Sequence, residues 1–192
     1  MKFTLSLITE KQKLIIAKGL LDYNFIMNNW RINSSSPDFQ DVYYEFYLKA
    51  RWAKMANKTN QMDYFKLMRT TTSKDLITII KDFEKTIGSY EFSICSKLLH
   101  TINPSSPIYD SKVRIFLTKE IGLDLWYNSG RESKKQPLEK IEHDWEIICD
   151  WYNEFLKSAD GKNWIKWFDT NFPIYQSISN IKKIDSIIFA TN

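Results

Sequence analysis

The sequence predicts an all-α protein in which residues 1–192 form a single globular helical domain. The length of 192 residues suits one domain with a substantial core. Hydrophobic residues make up 43% of the chain and aromatic residues 15%, which is too apolar for a disordered chain. Only five Gly and five Pro are present, and a fold of many short strands would need more of these turn-forming residues.

Two helices are predicted in the first part of the chain. Thr9 and Gln12 have the spacing of a capping box, and the apolar-rich stretch that follows predicts a helix reaching Trp30. Residues 34–37, Ser-Ser-Ser-Pro, form a break. Apolar and aromatic residues then recur at helical spacing, which predicts an amphipathic helix over residues 38–56 whose aromatic stripe faces the core.

The central part of the chain predicts four further helices, over residues 60–69, 73–88, 90–102 and 110–122. Ser73 is expected to cap the second of them, and Asp110 or Ser111 is expected to begin the fourth. Gly88 and Gly122 stand where helices end, since Gly adopts the left-handed conformation of a C-cap most easily.

A polar loop is predicted over residues 128–137, followed by a long helix and two shorter ones. The apolar positions that mark the long helix are Ile141, Trp145, Ile148, Tyr152, Phe155 and Leu156. The shorter helices are centred on residues 164–169 and 178–189. The sequence has no internal repeat and no shift in composition that would divide it.

Composition and motifs exclude several classes of protein. Two Cys and two His without ligand spacing cannot form a typical zinc site, and iron–sulfur ligation by four Cys is impossible. We therefore expect no metal and no cofactor. Walker, dinucleotide-binding, zincin and nucleophile-elbow motifs are lacking, so the common ATPases, dehydrogenases, metalloproteases and serine hydrolases are excluded.

Hydropathy and charge indicate the setting of the protein. No run approaches the roughly 20 apolar residues of a membrane span, and the first residues lack the features of a signal peptide, so we expect a cytoplasmic protein without a membrane partner. The net charge of +4 is compatible with a nucleic-acid partner. We expect a monomer.

Residues 96–123 carry the side chains best suited to chemistry. In the helix over 90–102 the apolar residues cluster on one face, which predicts that Lys97 and His100 lie on the other face, towards solvent or a cleft. After a turn rich in Pro and Ser, Asp110 stands at the start of the next helix, where free backbone N–H groups and the helix dipole favour a carboxylate.

Residues 109–114 form the run Tyr-Asp-Ser-Lys-Val-Arg, and Ile121 and Gly122 follow further on. This pattern resembles the part of the helix-hairpin-helix (HhH-GPD) DNA glycosylases that carries their catalytic Asp. Lys97, next to Ser96, resembles the position of the Schiff-base lysine of bifunctional members. The chain resembles a divergent member, because residues 88–96 lack the Gly-rich hairpin that binds a DNA phosphate and the Cys count excludes the iron–sulfur cluster.

The resemblance implies a DNA glycosylase that excises a damaged or modified base from DNA. Asp110 would stabilise the positive charge on the sugar or activate the nucleophile, and Lys97 would add lyase activity if its amine were neutral. The residues implied to contact DNA are Ser111, Lys112, Arg114 and Lys119. The residues implied to line the base pocket are Tyr109, Trp126 and His100, for which the sequence leaves core packing (Tyr109, Trp126) or surface exposure (His100) open.

Two other interpretations remain at this point. The chain could be a non-catalytic DNA-binding or protein-interaction module on a glycosylase-like scaffold, which the missing Gly-rich hairpin favours. It could also be a helical defence or toxin-related protein that acts on something other than DNA.

Overall fold

The computed structural model describes residues 5–48, 58–126 and 138–191. All regular secondary structure in these ranges is helical, which confirms the all-α prediction. The α-helices are α1 (Glu10–Asn33), α2 (Pro37–Tyr43), α3 (Lys58–Thr70), α4 (Leu76–Ile87), α5 (Phe92–Ile102), α6 (Ser111–Ile115), α7 (Leu138–Lys157), α8 (Ala159–Asn171) and α9 (Asn180–Thr191). In the same ranges, no helix has both the length and the apolar character needed to cross a membrane.

Short helical turns extend this set. Two π-helical turns, Tyr44–Leu48 and Phe116–Ile121, directly continue α2 and α6. Turns of 3-10 helix cover Leu5–Leu7 and Pro173–Tyr175. The amphipathic helix predicted over residues 38–56 is thus α2 with its π-turn as far as Leu48, and its remainder lies outside the described residues. The polar loop predicted over 128–137 also lies outside them.

The chain divides into two compact units. Unit 1 consists of the described parts of Met1–Leu20 and Pro104–Asn192, and unit 2 consists of those of Leu21–Asn103. The boundary falls inside α1. The single domain expected over residues 1–192 stays a prediction.

Several helix ends are formed by the residues that the sequence indicated. The Thr9 amide donates to Gln12 Oε1 at 2.8 Å and the Gln12 amide donates to Thr9 Oγ1 at 3.3 Å, so the capping box is confirmed. Gly88 and Gly122 have φ angles of 78° and 86°, in the left-handed region. Both predicted Gly C-caps are therefore confirmed.

The predicted cap at Ser73 is wrong. α4 is capped by Asp75, whose Oδ2 accepts from the Thr78 amide at 2.8 Å. Ser73 instead forms the turn before the helix, because its Oγ accepts from the Asp75 amide at 3.1 Å. A carboxylate directly beside the first helical residue takes the capping position from the hydroxyl two residues earlier.

Helix α5 forms the centre of unit 2. Every residue from Phe92 to Thr101 is buried, and the helix packs against α4 and the π-turn Tyr44–Leu48. Edge-to-face and tilted ring contacts link five residues of the same unit into an aromatic shell: Phe39, Tyr43, Tyr64, Phe65 and Phe83. The Tyr43 hydroxyl of this shell lies 3.3 Å from Thr101 Oγ1 on α5. Unit 2 therefore contains a helix that is buried from Phe92 to Thr101 and contacts this aromatic shell.

Helix α9 has the same position in unit 1. It packs against α6, α7 and α8, and its residues from Ile181 to Ile188 are all buried. The charged side chains on it are paired: Lys182 Nζ lies 2.6 Å from Asp185 Oδ2, and Lys183 Nζ lies 2.7 Å from Asp169 Oδ1. Burying charges at this depth requires such partners.

Candidate functional site

Asp110 is the N-cap of α6. Its backbone is extended, and its Oδ1 accepts hydrogen bonds from the amides of Lys112 and Val113, both at 2.9 Å. The predicted helix start is therefore confirmed. Both capping bonds use Oδ1, so Oδ2 takes no part in the cap. The side chain is half-buried, which combines a fixed carboxylate with partial access from outside.

Tyr152 on α7 is a buried neighbour of Asp110 that sequence reasoning assigned only to the core. It is fully buried, and its hydroxyl has no hydrogen-bond partner among the described residues. Burial raises the pKa of Tyr152 well above its ordinary value, and the negative charges of Asp185 and Asp110 raise it further. The phenol therefore stays neutral. In the sequence, Tyr152 shares the helical spacing of Ile148 and Phe155, which indicates a core position but not the proximity of Asp110.

The basic and hydroxyl residues of α6 differ in their availability. Lys112 donates from Nζ to the Phe189 carbonyl at 3.1 Å, and its ammonium lies 4.4 Å from the centre of the Phe189 ring. Its charge thus meets the C-terminal end of α9, where a helix dipole favours a cation. Ser111 and Lys119 are exposed and Arg114 is half-buried. Their contact with DNA stays a prediction.

The two aromatic candidates for the base pocket lie in opposite environments. Trp126 is 50% exposed, and its ring stacks on His143 with centroids 3.8 Å apart and planes 9° from parallel. Its amide donates to Oδ1 of the buried Asp144 at 2.8 Å. Core packing for Trp126 is therefore wrong. Tyr109 is fully buried, so a base could stack on its ring only after unit 1 rearranged.

Lys97 is buried in unit 2, with only 9% of its surface exposed. Its Nζ donates to the Tyr47 carbonyl at 2.8 Å, in the π-turn that packs on α5. The expectation that Lys97 points to solvent or a cleft is wrong. The physical reason is that no face of α5 between Phe92 and Thr101 is open to solvent. The Tyr47 carbonyl, fifty positions earlier in the chain, accepts a hydrogen bond from the Lys97 ammonium, which the apolar periodicity had predicted to lie in solvent or a cleft.

His100 is also buried, and the expectation of a surface position is wrong. Its Nε2 lies 3.0 Å from the Tyr23 hydroxyl, and the two rings are tilted with centroids 5.7 Å apart. A base pocket that includes His100 would require this contact with α1 to open. The Tyr23 hydroxyl instead provides a hydrogen-bond partner for the buried Nε2 of His100.

A chain of hydroxyl groups links the next residue of α5 to the aromatic shell. Thr101 Oγ1 donates to the Lys97 carbonyl at 2.9 Å and lies 3.3 Å from the Tyr43 hydroxyl. The Tyr43 hydroxyl lies 2.9 Å from that of Tyr64. Burial raises the pKa of Tyr43 to about 12, so these hydroxyls are neutral hydrogen-bonding groups.

The described residues contain no group of His, Cys, Asp and Glu side chains that could hold a metal ion. Cys95 is buried, and burial raises the pKa of its thiol well above the ordinary value. Burial, with the charges of Asp150 and Glu146, raises the pKa of Cys149 to about 12. Neither thiol has the low pKa of a reactive cysteine.

The candidate residues are distributed over both units. Unit 1 contains Tyr109, Asp110, Ser111, Lys112, Arg114, Lys119 and Trp126, whereas unit 2 contains Lys97 and His100. Comparison with known proteins found no matching family model, no matching curated protein and no matching solved structure. The resemblance to helix-hairpin-helix glycosylases therefore rests on the residues of the 96–123 segment.

Proposed function

We propose that this protein is a DNA glycosylase that excises a damaged or modified base, with Asp110 as its essential carboxylate. The observation that carries the proposal is the capping geometry of Asp110 within the Asp-Ser-Lys-Val run. Two backbone amides hold Oδ1 at 2.9 Å, and Oδ2 is left outside the cap. A carboxylate fixed in this way is preorganised to stabilise charge that develops nearby.

The proposed reaction is hydrolysis of the N-glycosidic bond. The bond between the base and C1′ of the sugar breaks, and the base leaves with the electron pair while C1′ becomes positive. Asp110 stabilises that charge electrostatically, and the oxygen of a water molecule bonds to C1′. One proton of the water passes to the departing base, and the products are the free base and an abasic sugar.

Three side chains of unit 1 fit the binding of DNA to this carboxylate. The target base must leave the duplex and stack on an aromatic surface, and Trp126 offers a half-exposed ring already stacked on His143. Ser111 and Lys119 are exposed on the segment that Asp110 begins, and they are assigned to phosphate contacts. These contacts would position the strand, whereas the base would be selected by the pocket.

The proposal is tested by incubating the protein with a panel of modified DNAs, from damaged oligonucleotides to genomes with hypermodified bases. Released bases are detected by mass spectrometry and abasic sites by alkaline cleavage. Release of one class of base supports the proposal and names the substrate. DNA binding without release from any substrate would indicate the non-catalytic module instead. Absence of salt-dependent DNA binding would contradict both.

Lys97 is not expected to form a covalent adduct with DNA. A lysine nucleophile must be neutral and must reach C1′ of the sugar, whereas Lys97 is buried and donates to the Tyr47 carbonyl. Borohydride added during turnover should therefore trap no protein–DNA adduct. Strand cleavage should appear only after alkaline treatment.

The matched control for this prediction is Lys97→Gln, which removes the amine and keeps a hydrogen-bond donor of similar length. The variant should release base at the same rate per folded molecule as the native protein. A trapped adduct in the native protein that disappears in Lys97→Gln would contradict the prediction and assign lyase activity to Lys97.

A further inference from the structure

Helix α1 has apolar residues on two faces. One face is buried and carries Ile16, Leu20, Tyr23 and Ile26, each 3% exposed or less. The other face also carries large apolar side chains, and these are open to solvent: Leu14 is 71% exposed, Leu21 63%, Phe25 38% and Ile32 82%. A surface helix normally has polar residues on the side away from the core, so this second face needs an explanation.

The exposed apolar residues follow a heptad pattern. Leu14, Leu21, Phe25 and Ile32 are separated by seven, four and seven positions, which is the spacing of the two seam positions of a coiled coil. Lys18 and Asn28 complete the stripe, and both are exposed. The stripe runs along a single continuous helix of 24 residues, about 36 Å long at 1.5 Å per residue.

We propose that this stripe is a dimerisation surface, on which α1 of a second copy of this chain packs in antiparallel orientation. The inference does not depend on the proposed glycosylase activity. It replaces the monomer expected from the sequence, because exposed apolar residues in a heptad pattern are typical of a helix that packs against another helix. A lone exposed apolar residue would not carry this conclusion.

Antiparallel packing gives the stripe a self-complementary register. With the two-fold axis between Gly19 and Leu20, Leu14 of each chain meets Phe25 of the partner subunit, and Lys18 lies over Leu21 of the partner subunit. The apolar side chains then form layers on both sides of the axis. The Lys18 stem covers Leu21 while its ammonium extends to water. Such symmetry makes the same patch serve both subunits.

Charge also favours this orientation. In the same register Asn29 of the partner subunit lies opposite Glu10, and Arg31 of the partner subunit is two positions further along, at the flank of the seam. Each dimer therefore has two oppositely charged flanking pairs. Glu10 and Arg31 are both exposed, although Glu10 also contacts Lys13 within its own helix at 2.8 Å. In a parallel pair, Lys11 would face Lys11 of the partner subunit and Lys18 would face Lys18 of the partner subunit. Like charges would then lie together at the seam. The charges therefore favour a second copy of this chain in antiparallel orientation as the partner of α1.

The oligomeric state of the full chain tests the proposal. Sedimentation equilibrium at concentrations up to about 100 μM should give a dimer in exchange with monomer. Leu21→Glu should shift the protein to monomer, since it places carboxylates in the seam, while circular dichroism stays unchanged because the side chain is exposed. Ile174→Glu changes another exposed apolar residue, which is 81% exposed and belongs to the turn Pro173–Tyr175 rather than to α1, and it should leave the mass unchanged. A native protein that is monomeric throughout, or a dimer that survives Leu21→Glu, would overturn the proposal.

The orientation is tested by disulfide cross-linking in a Cys149→Ser background. Lys18→Cys and Leu21→Cys are made as separate variants, mixed and oxidised, and the products are separated by mass. The antiparallel register predicts that the mixed disulfide between the two variants dominates. Dominance of disulfides between identical variants would indicate a parallel pair and would overturn the proposed register.

Discussion

An Asp110→Asn variant is expected to lose base release by at least about 100-fold, the effect of removing one preorganised electrostatic contact from an active site. Asn is as good an N-cap as Asp, so its Oδ1 can accept from the Lys112 and Val113 amides as Asp110 does. The fold and the affinity for DNA should therefore stay close to native. Release of product is measured in single-turnover assays, and affinity is measured separately by fluorescence anisotropy.

Two further variants separate charge from capping. Asp124→Asn removes a carboxylate from an exposed position shortly after Gly122, and it should keep full activity. Asp110→Ala should lose activity and about 1 kcal/mol of stability, because it removes the cap as well as the charge. Equal activity of native protein and Asp110→Asn would show that the carboxylate is structural and would contradict the proposed function.

A Lys182→Met variant is expected to lose about 3–5 kcal/mol of unfolding free energy, the typical cost of breaking a buried ion pair. Lys182 Nζ lies 2.6 Å from Asp185 Oδ2, and both side chains are almost completely buried on α9. Removal of the ammonium leaves a carboxylate in the centre of unit 1 without its nearest counter-charge. Urea unfolding followed by circular dichroism measures the loss.

The matched control replaces both partners. Lys182→Met combined with Asp185→Leu removes the two charges together, and its stability should return most of the way to native because apolar pairs of similar volume tolerate burial. A single variant as stable as the native protein would show that the pair is not a stabilising contact of unit 1. A double variant as unstable as the single one would show that packing, rather than charge, dominates at this position.

The helices could be predicted well from the sequence because their signals are local. The Thr9 capping box, the Gly88 and Gly122 caps and the Asp110 helix start each depend on residues a few positions apart, and each is confirmed. The cap at Ser73 failed because Asp75 offers a better acceptor two residues on. Neighbouring candidate caps differ only slightly in the free energy with which they stabilise a helix, and these small differences decide where the helix begins.

The environment of α5 could not be predicted in the same way. The apolar periodicity indicates one buried face, but Lys97 and His100 are buried too because the Tyr47 carbonyl and the Tyr23 hydroxyl receive them. Tyr47 and Tyr23 lie far from α5 in the sequence, and no local sequence pattern indicates these contacts. The effect of the Asp110 charge on the pKa of Tyr152 could not be predicted for the same reason, since the two residues lie far apart in the chain.

The enclosure of α5 makes the Lys97 amine a natural reporter of how often unit 2 opens. A reagent that modifies lysines can reach Nζ only in molecules whose packing around the helix has opened. When reclosing is fast, the modification rate is therefore the rate of a free amine multiplied by the fraction of open molecules. Exposed lysines such as Lys119 give the unprotected rate in the same sample. The ratio of the two rates converts directly into a local free energy of opening, measured without denaturant.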